Sequence, residues 1–490
     1  MSTALNKSLY VAGVQCHKLL WWKVHEPLAP ELQPDKVLLD RFDQGRQVGE
    51  LARNKFPGGV LIDAKGASVE ARVAATRDAM ESGAPAVFEA TFVADGVTVK
   101  VDVLQRMADR QWRLIEAKMT SSAKEEHVPD VAVQLHVAQQ CGVDVGAVAV
   151  MHLNPEFRQP DQGELLMATD MTTPARAMLP SVPAIIESLR TALTGPLPAT
   201  PIGHHCGEPR SCPFLGRCWP KNPDHIGKLY LYGIKRASDA MAKGIQSVWD
   251  IPPKQKINDT ARRQLRSLRE DRMIVEPGLA DALAPFAVPR LGFLDFETIV
   301  RAVPVWPGMK PHEPGPAQFS YHEADPSAQG GYRHAEFLAE GPQDARPELA
   351  RRMLEATRGA TRVVTYSGYE KGRIRGLQES VPALRDELKA LEEKLIDLLP
   401  VVRDNVYHPT FDGSFSIKAV LNPLVPDLRY SDLIIVDGLT ASVEIARLLF
   451  VSGRIKPEEH ARVRQDLLNY CERDTWAMVR LLDACVRLQA

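Results

Sequence analysis

Acidic side chains at regular spacings are the first residues in this chain that could do chemistry. In the stretch Leu291-Gly-Phe-Leu-Asp-Phe-Glu-Thr298 two of them, Asp295 and Glu297, interrupt an otherwise apolar run. In a strand, alternate side chains share a face, so both acids point one way while Leu294 and Phe296 point the other. Two like charges in a low-dielectric site repel strongly unless a cation lies between them, and hard oxygen donors suit Mg²⁺ or Mn²⁺. Other ligands must then come from elsewhere in the chain. "NYCERDTWAMVRLL" sets Tyr470 and Asp474 four residues apart, on one face of a helix. In "VVTYSGYEKGRI" an apolar strand ends at Tyr366 and a helix begins near Glu370, a third candidate.

A second constellation lies upstream. Asp102 closes one strand of a hairpin, and "IEAK" puts Glu116 and Lys118 on one face of the next strand. Two acids and a lysine meet the needs of metal-assisted hydrolysis. Asp102 and Glu116 would hold Mg²⁺, and Lys118 would ease formation of hydroxide and offset charge building on a phosphate. Cys206, Cys212 and Cys218 lie in "HHCGEPRSCPFLGRCW" with five residues between successive members, and Cys16 lies near the N-terminus. Four thiolates can hold a 4Fe–4S cluster or zinc. The tight pairs typical of structural zinc are absent, which favours iron–sulphur, while His204 and His205 keep zinc open. Cys141, Cys471 and Cys485 read as core or helix residues with no partner.

These side chains need elements to position them. "AVFEATFVADGVTVKVDVLQR" carries a turn at Asp95-Gly96 between two β-branched runs and predicts a hairpin; a third strand follows at 113–119. In "PDVAVQLHVAQQCG" (129–142) Val131, Leu135 and Ala138 recur at helical spacing and Gly142 supplies a stop. Beyond Pro289, strands are expected at 291–297, 317–323, 332–338 and 361–366, followed by helices. Ser416 reads as the N-cap of the helix "IKAVL", and Lys418 as a solvated lysine or a phosphate contact. Segment 228–252 has the rhythm of a helix-hairpin-helix or a plain αα-hairpin, and "ARRQLRSLREDR" (261–272) would follow a nucleic-acid backbone if it lay beside a site.

Composition bounds the rest. With 490 residues the chain exceeds one core, and Lys plus Arg (60) nearly balances Asp plus Glu (62), so no global field announces nucleic acid. Charged residues interrupt the N-terminal segment, no run of about 18 apolar residues occurs, and seven scattered cysteines make no disulfide framework. The expectation is a cytoplasmic protein without a membrane partner.

Asp-x-Glu on a first strand, an acid after an "hxYxxYE" strand end and Tyr-x-x-x-Asp on a late helix resemble the DEDDy branch of RNase H-like 3′–5′ exonucleases, over about residues 289–490. Within that span "LGFLDFET", the Pro-rich excursion 304–316, "YSGYEKGRIRGL", "GSFSIKAVL" and "YCERDTWAM" are similar to a YprB-related family often fused to RecB-like nuclease domains. The resemblance implies that Asp295, Glu297, Glu370 and Asp474 hold two metal ions and that Tyr470 orients the attacking water. The wider superfamily has Asp at the third position, so Asp397 in "LIDLLPVV" is a rival to Glu370.

"VDVL" followed by "RLIEAKM" resembles the PD-(D/E)xK nuclease core, and the helix carrying Gln134 resembles the RecB-type Q motif. RecB-like relatives carry a metal-binding His in a helix such as "GRQVGELAR" (45–53). Here Gly49-Glu50 stand there instead, so Glu50 or Glu89 would take its place. One upstream cysteine plus three after the core resembles the iron–sulphur staple of AddB-type and CRISPR-associated RecB-like nucleases. The expected fold is therefore mixed α/β: a PD-(D/E)xK restriction-endonuclease-like domain with its cysteine cluster at 1–222, a helical linker at 223–288 and an RNase H-like domain at 289–490. The expected activity is Mg²⁺- or Mn²⁺-dependent cleavage of DNA, single-stranded DNA foremost. The alternative is an RNA 3′–5′ exonuclease whose first domain only binds the strand.

Overall fold

The computed structural model describes residues 4–489 except 63–65, 161, 452 and 454. It is a mixed α/β protein with several sheets. The chain divides into two compact units: Met1–Pro220 with Arg301–Val305 and Met309–His312, and Lys221–Val300 with Trp306–Gly308 and Glu313–Ala490. Residues 223–288 therefore belong to the second unit and do not form a separate linker.

The first unit is built on the strands β1 (Leu5–Asn6), β2 (Val60–Leu61), β3 (Ala86–Ala94), β4 (Val97–Arg106), β5 (Trp112–Lys118), β6 (Val145–Leu153) and β7 (Leu166–Asp170), in the order β2-β3-β4-β5-β6-β7, with β1 parallel to β4. The expected hairpin is β3–β4. Its turn residues Asp95 and Gly96 have φ of 48° and 61°, the doubly left-handed conformation a two-residue hairpin turn demands. Parallel β5 and β6 need a crossover, supplied by the helix Val128–Gln140, whose Val131, Leu135 and Ala138 are fully buried. Alternation in the hairpin is broken at one place. Val101 and Ala90 pack in one core, whereas their ladder neighbours Val103 and Phe88 pack in another, and between them sit Asp102 and Glu89, the latter at φ 56°.

The second unit holds a small pair, β8 (Ile274–Val275) with β14 (Val406–Tyr407), and a five-stranded sheet of β9 (Leu291–Val300), β10 (Pro314–Ala324), β11 (Tyr332–Leu338), β12 (Arg362–Thr365) and β13 (Leu395–Asp397). The order is β11-β10-β9-β12-β13, antiparallel on the β10 side and parallel on the β12 side. All four expected strands are present. β9 is central, and its two faces feed two cores. Leu294 and Phe296 pack with Leu349, Met353 and Ile374 on one side. On the other, Phe293 joins the core of the long helix Pro457–Arg487 through residues such as Ala477 and Leu481.

One further expectation fails in this unit. Segment 228–252 holds one α-helix, Gly233–Ala242, with single 3-10 turns at Ile226–Lys228 and Val248–Asp250. It is thus neither a helix-hairpin-helix nor an αα-hairpin, because left-handed Gly244 stops the helix and Pro252-Pro253 prevent the next from starting. Among the described residues, no helix is long and apolar enough to cross a membrane.

Candidate functional site

In the second unit the sheet and the long helix bring the expected acids together. Asp295 and Glu297 leave β9 on the face covered by Pro457–Arg487, and that helix supplies Asp474 and, one turn earlier, Tyr470. One carboxylate oxygen from each of Asp295, Glu297 and Asp474 lies within 4.8 Å of the other two. Glu370 begins its helix, Tyr369–Ser380, beside them. It hydrogen-bonds Asp295, while its own Oε2 is buried without a partner. The rival Asp397 is committed elsewhere, since its Oδ1 accepts from the Ser367 and Leu399 backbone N–H groups, both at 2.9 Å. Ser416 caps its helix as expected, accepting from Ala419 N–H.

Burial dominates the electrostatics of this cluster. Burial first, then the charges of Asp474, Glu370 and Glu297, holds the Asp295 carboxyl well above the ordinary range. Glu297 is raised in the same way by burial and Asp474. Burial pushes Glu370 up to about 8, with Asp397 and Asp474 adding to it. Asp474 is also raised by burial, although Tyr430, Lys418 and Tyr470 oppose the shift. Four acids thus gather where no lysine or arginine forms an ion pair with any of them among the described residues.

Around the acids stand further groups, of which sequence reasoning passed over Tyr430. Tyr430 donates to Asp474 Oδ1 at 2.5 Å, and Tyr470 also hydrogen-bonds Asp474. The two rings meet edge to face, 6.3 Å apart. Lys418 Nζ lies 4.9 and 5.0 Å from the centroids of Tyr430 and Tyr470 and donates to the Tyr470 hydroxyl at 3.3 Å and to the Val436 carbonyl. It is therefore a lysine of the site, and not a solvated one. Burial and the carboxylates around it hold the Tyr470 hydroxyl above its usual range, so it stays protonated. Tyr430 sits in a loop with no periodic pattern, and no local signal marks it.

In the first unit, Glu116, Lys118 and Gln134 meet as expected, but with two unforeseen partners. Lys118 donates to Glu116 at 2.7 Å and to Asp130 at 2.6 Å. Gln134 donates to Glu116 at 3.0 Å and to Asp130 Oδ1 at 3.0 Å, and its Oε1 is buried without a partner. Asp130 precedes Gln134 by one helical turn, so the helical period could have flagged it. Lys7 could not have been found that way. It opens the helix Lys7–Gln15 and donates to both Glu116 oxygens, at 2.7 and 2.8 Å.

These lysines reverse the electrostatics seen in the second unit. Burial alone would raise Glu116, but Lys7 and Lys118 hold it below the usual carboxylate range. Burial and the Glu116 charge push Asp102 up to about 7. Asp102 stands one step past the end of the β4–β5 ladder and accepts from Ala117 N–H at 2.8 Å. Asp102, Glu116, Glu50 and Glu89 line one cavity of about 420 Å³, together with Arg46 and Arg53. Both candidates for the missing His position, Glu50 and Glu89, are therefore within the same pocket as the other acids.

Cys16, Cys206, Cys212 and Cys218 line a single cavity with His205 and Trp22, and none is in a disulfide. Gln15 donates to the His205 and Arg210 carbonyls at 2.8 and 2.7 Å, which ties the N-terminal helix to the cysteine loop. Burial, with the neighbouring Cys16, Cys206 and Cys218, pushes the Cys212 thiol up to about 11. Among the described residues, no three of these sulphurs lie within 4.8 Å of one another. Of the other cysteines, Cys471 and Cys485 are buried in the long helix, whereas Cys141 is exposed at a helix end.

A family model described as a domain of unknown function (DUF2779) matches residues 292–416, a span that includes Asp295, Glu297 and Glu370 and ends before Tyr470 and Asp474. No curated protein matches the chain. No solved structure matches it.

Proposed function

We propose that this chain is a metal-dependent nuclease that hydrolyses phosphodiester bonds, with its principal active site in the second unit. The observation that carries this reading is the convergence of Asp295, Glu297 and Asp474 within 4.8 Å. Buried carboxyls so close together need a cation, and an all-oxygen donor set suits Mg²⁺ or Mn²⁺. Asp295, Glu297, Asp474 and Glu370, with its unpartnered Oε2, would hold the ions. Two such ions supply Lewis-acid stabilisation of the attacking and leaving oxygens in an in-line displacement.

The chain's own groups do the rest. Tyr470, whose hydroxyl proton goes to Asp474 while Lys418 donates to its oxygen, keeps a lone pair that can accept from the attacking water and so orient it. Tyr430 fixes Asp474 from the other side. Lys418 brings a positive charge to a phosphate lying over these rings. The arrangement supports the DEDDy-type, RNase H-like reading, whose proposed activity is 3′–5′ exonuclease action, on single-stranded DNA foremost.

For the first unit, the meeting of Asp102, Glu116, Lys118 and Gln134 supports a RecB-like PD-(D/E)xK module. The shared cavity of the four cysteines supports an iron–sulphur staple. One observation favours a second reading, in which this unit only binds nucleic acid and the chain acts as an RNA exonuclease: Lys7 already neutralises Glu116, so a metal ion would compete with a built-in ammonium.

The test compares Asp295→Asn and Lys118→Ala on end-labelled single-stranded DNA and RNA with Mg²⁺ or Mn²⁺. Asp295→Asn should reduce cleavage by more than the roughly 10²-fold that loss of an outer-shell metal partner costs. Undiminished cleavage by Asp295→Asn would overturn the proposal. Full activity of Lys118→Ala would make the first unit a platform.

A further inference from the structure

A different set of ligating side chains gathers where β10, β11 and the helix Pro457–Arg487 meet. His322 and His334 are directly opposed in the β10–β11 ladder, so they leave the same face of the sheet, and their rings stack with centroids 4.5 Å apart. Glu472 reaches them from the helix. One ligating atom from each of His322, His334 and Glu472 lies within 4.8 Å of the other two. His322 is buried, while the side chains of His334 and Glu472 are 26% and 47% exposed, so the group is open to solvent on one side.

The hydrogen bonds behind these residues fix where their protons sit. Thr475 donates its hydroxyl proton to the Glu472 carbonyl at 3.0 Å. Its Oγ1 can then only accept, from the Ser320 hydroxyl at 2.8 Å and from Nδ1 of His322 at 2.9 Å. Ser320, having donated to Thr475, accepts from Nε2 of His334 at 3.0 Å. His322 therefore carries its proton on Nδ1 and His334 on Nε2. The lone pairs left over are on Nε2 of His322 and Nδ1 of His334, and the latter lies 3.9 Å from Oε1 of Glu472. A proton or a metal ion between these two would join them, and a metal ion could also take the remaining lone pair of His322. Metal-binding histidines are characteristically held in this manner, with the second ring nitrogen donating to a fixed partner. Burial, aided by His334, pushes His322 down to about 4, so its ring is neutral at pH 7 as ligation requires.

We propose that His322, His334 and Glu472 form a binding site for a divalent first-row transition metal, separate from the carboxylate site. Two imidazoles and one carboxylate select an ion such as Zn²⁺ over Mg²⁺, in contrast to the all-oxygen set at Asp295. The site fastens β10 and β11 to the helix that carries Asp474. Ser320, part of the proton chain, stands opposite Asp295 in the β9–β10 ladder, and Glu472 and Thr475 flank Asp474. Occupancy therefore holds the Asp474 helix at a set position over the strand of Asp295.

The test uses the full chain, stripped with a chelator and titrated with Co²⁺ in excess Mg²⁺, so that the oxygen-rich sites are filled. With the cysteine site removed by Cys206→Ser, the chain should bind one equivalent of Co²⁺ with the visible d–d absorption of imidazole-ligated cobalt. In that background His334→Ala should lower the affinity at least about tenfold, and Asp295→Asn should keep it. Glu472→Gln, at a half-exposed helix position, should also lower it and keeps the test open should His334→Ala fail to fold. Absence of the cobalt band in the Cys206→Ser chain would overturn the proposal. Bands of equal strength and affinity in that chain with and without Glu472→Gln would do the same.

Discussion

Lys7 donates to both carboxylate oxygens of Glu116, at 2.7 and 2.8 Å, across 109 residues of sequence. Glu116 is only 3% exposed, so removing the ammonium leaves a buried charge with Lys118 and Gln134 as its remaining partners. Breaking a buried ion pair at one end costs about 3 kcal/mol. Lys7→Met should lower the unfolding free energy in urea by about that much. Added Mg²⁺ should recover part of the loss in the variant. Unchanged stability would show that the pair does not form.

The acids of the second unit set the sign of its response to pH. Asp295, Glu297, Glu370 and Asp474 have folded pKa values above their unfolded ones, with Glu370 moved from 4.5 to about 8. A group raised in this way binds protons more tightly when folded. Its stabilising contribution is full below the unfolded value and is lost as pH rises through the folded one. In chelator, the melting temperature should therefore fall as pH rises from about 4.5 to about 8, and Asp102, raised to about 7, adds to the same trend. Mg²⁺ or Mn²⁺ should stabilise most at the alkaline end. Calorimetry that finds the melting temperature rising across this window would contradict the assignment.

Two tyrosines on one carboxylate should fail differently when altered. Tyr470→Phe removes the hydroxyl offered to the reacting groups, so kcat should drop by about 10²-fold with DNA affinity nearly unchanged. Tyr430→Phe removes the 2.5 Å bond that fixes Asp474, so metal affinity should fall by roughly 10- to 100-fold. Metal titrations of activity separate the two, and identical profiles would refute the distinction.

The cysteine cavity makes a prediction about colour and stability together. If the cysteines hold an iron–sulphur cluster, the parent purified anaerobically should be brown, and Cys206→Ser should carry little iron and lack that absorption. It should also melt at a lower temperature, because the Gln15 bonds, the packing of Ala12 and Trp22 on Phe214 and the Arg217 ion pairs then join the N-terminal helices to that loop without a cluster. Zinc in place of iron in the anaerobically purified parent would reverse the choice between the two metals.

Local periodicity explains what could be read from the chain alone. Asp295 with Glu297, and Glu116 with Lys118, share faces because strand side chains repeat every second residue. Tyr470 and Asp474 share one because a helix turns in just under four. The Asp95-Gly96 turn was legible for a similar reason, since left-handed backbone favours those residue types. Periodicity fails where the backbone departs from it. At Glu89 and Asp102 the hairpin changes faces, so the position of Asp102 depends on packing and not on alternation.

Groups that meet only through long-range packing left no mark in the text. Lys7 reaches Glu116, Tyr430 reaches Asp474, and His322 faces His334 and Glu472 because strand register and the seating of helices on the sheet bring them there. The same holds for residues 223–288, which carry three α-helices and the strand Ile274–Val275 and belong to the second unit. Sequence by itself determined which side chains share a face within an element. Tertiary structure decided which faces meet, because that is set by the burial of whole apolar cores and not by any local spacing.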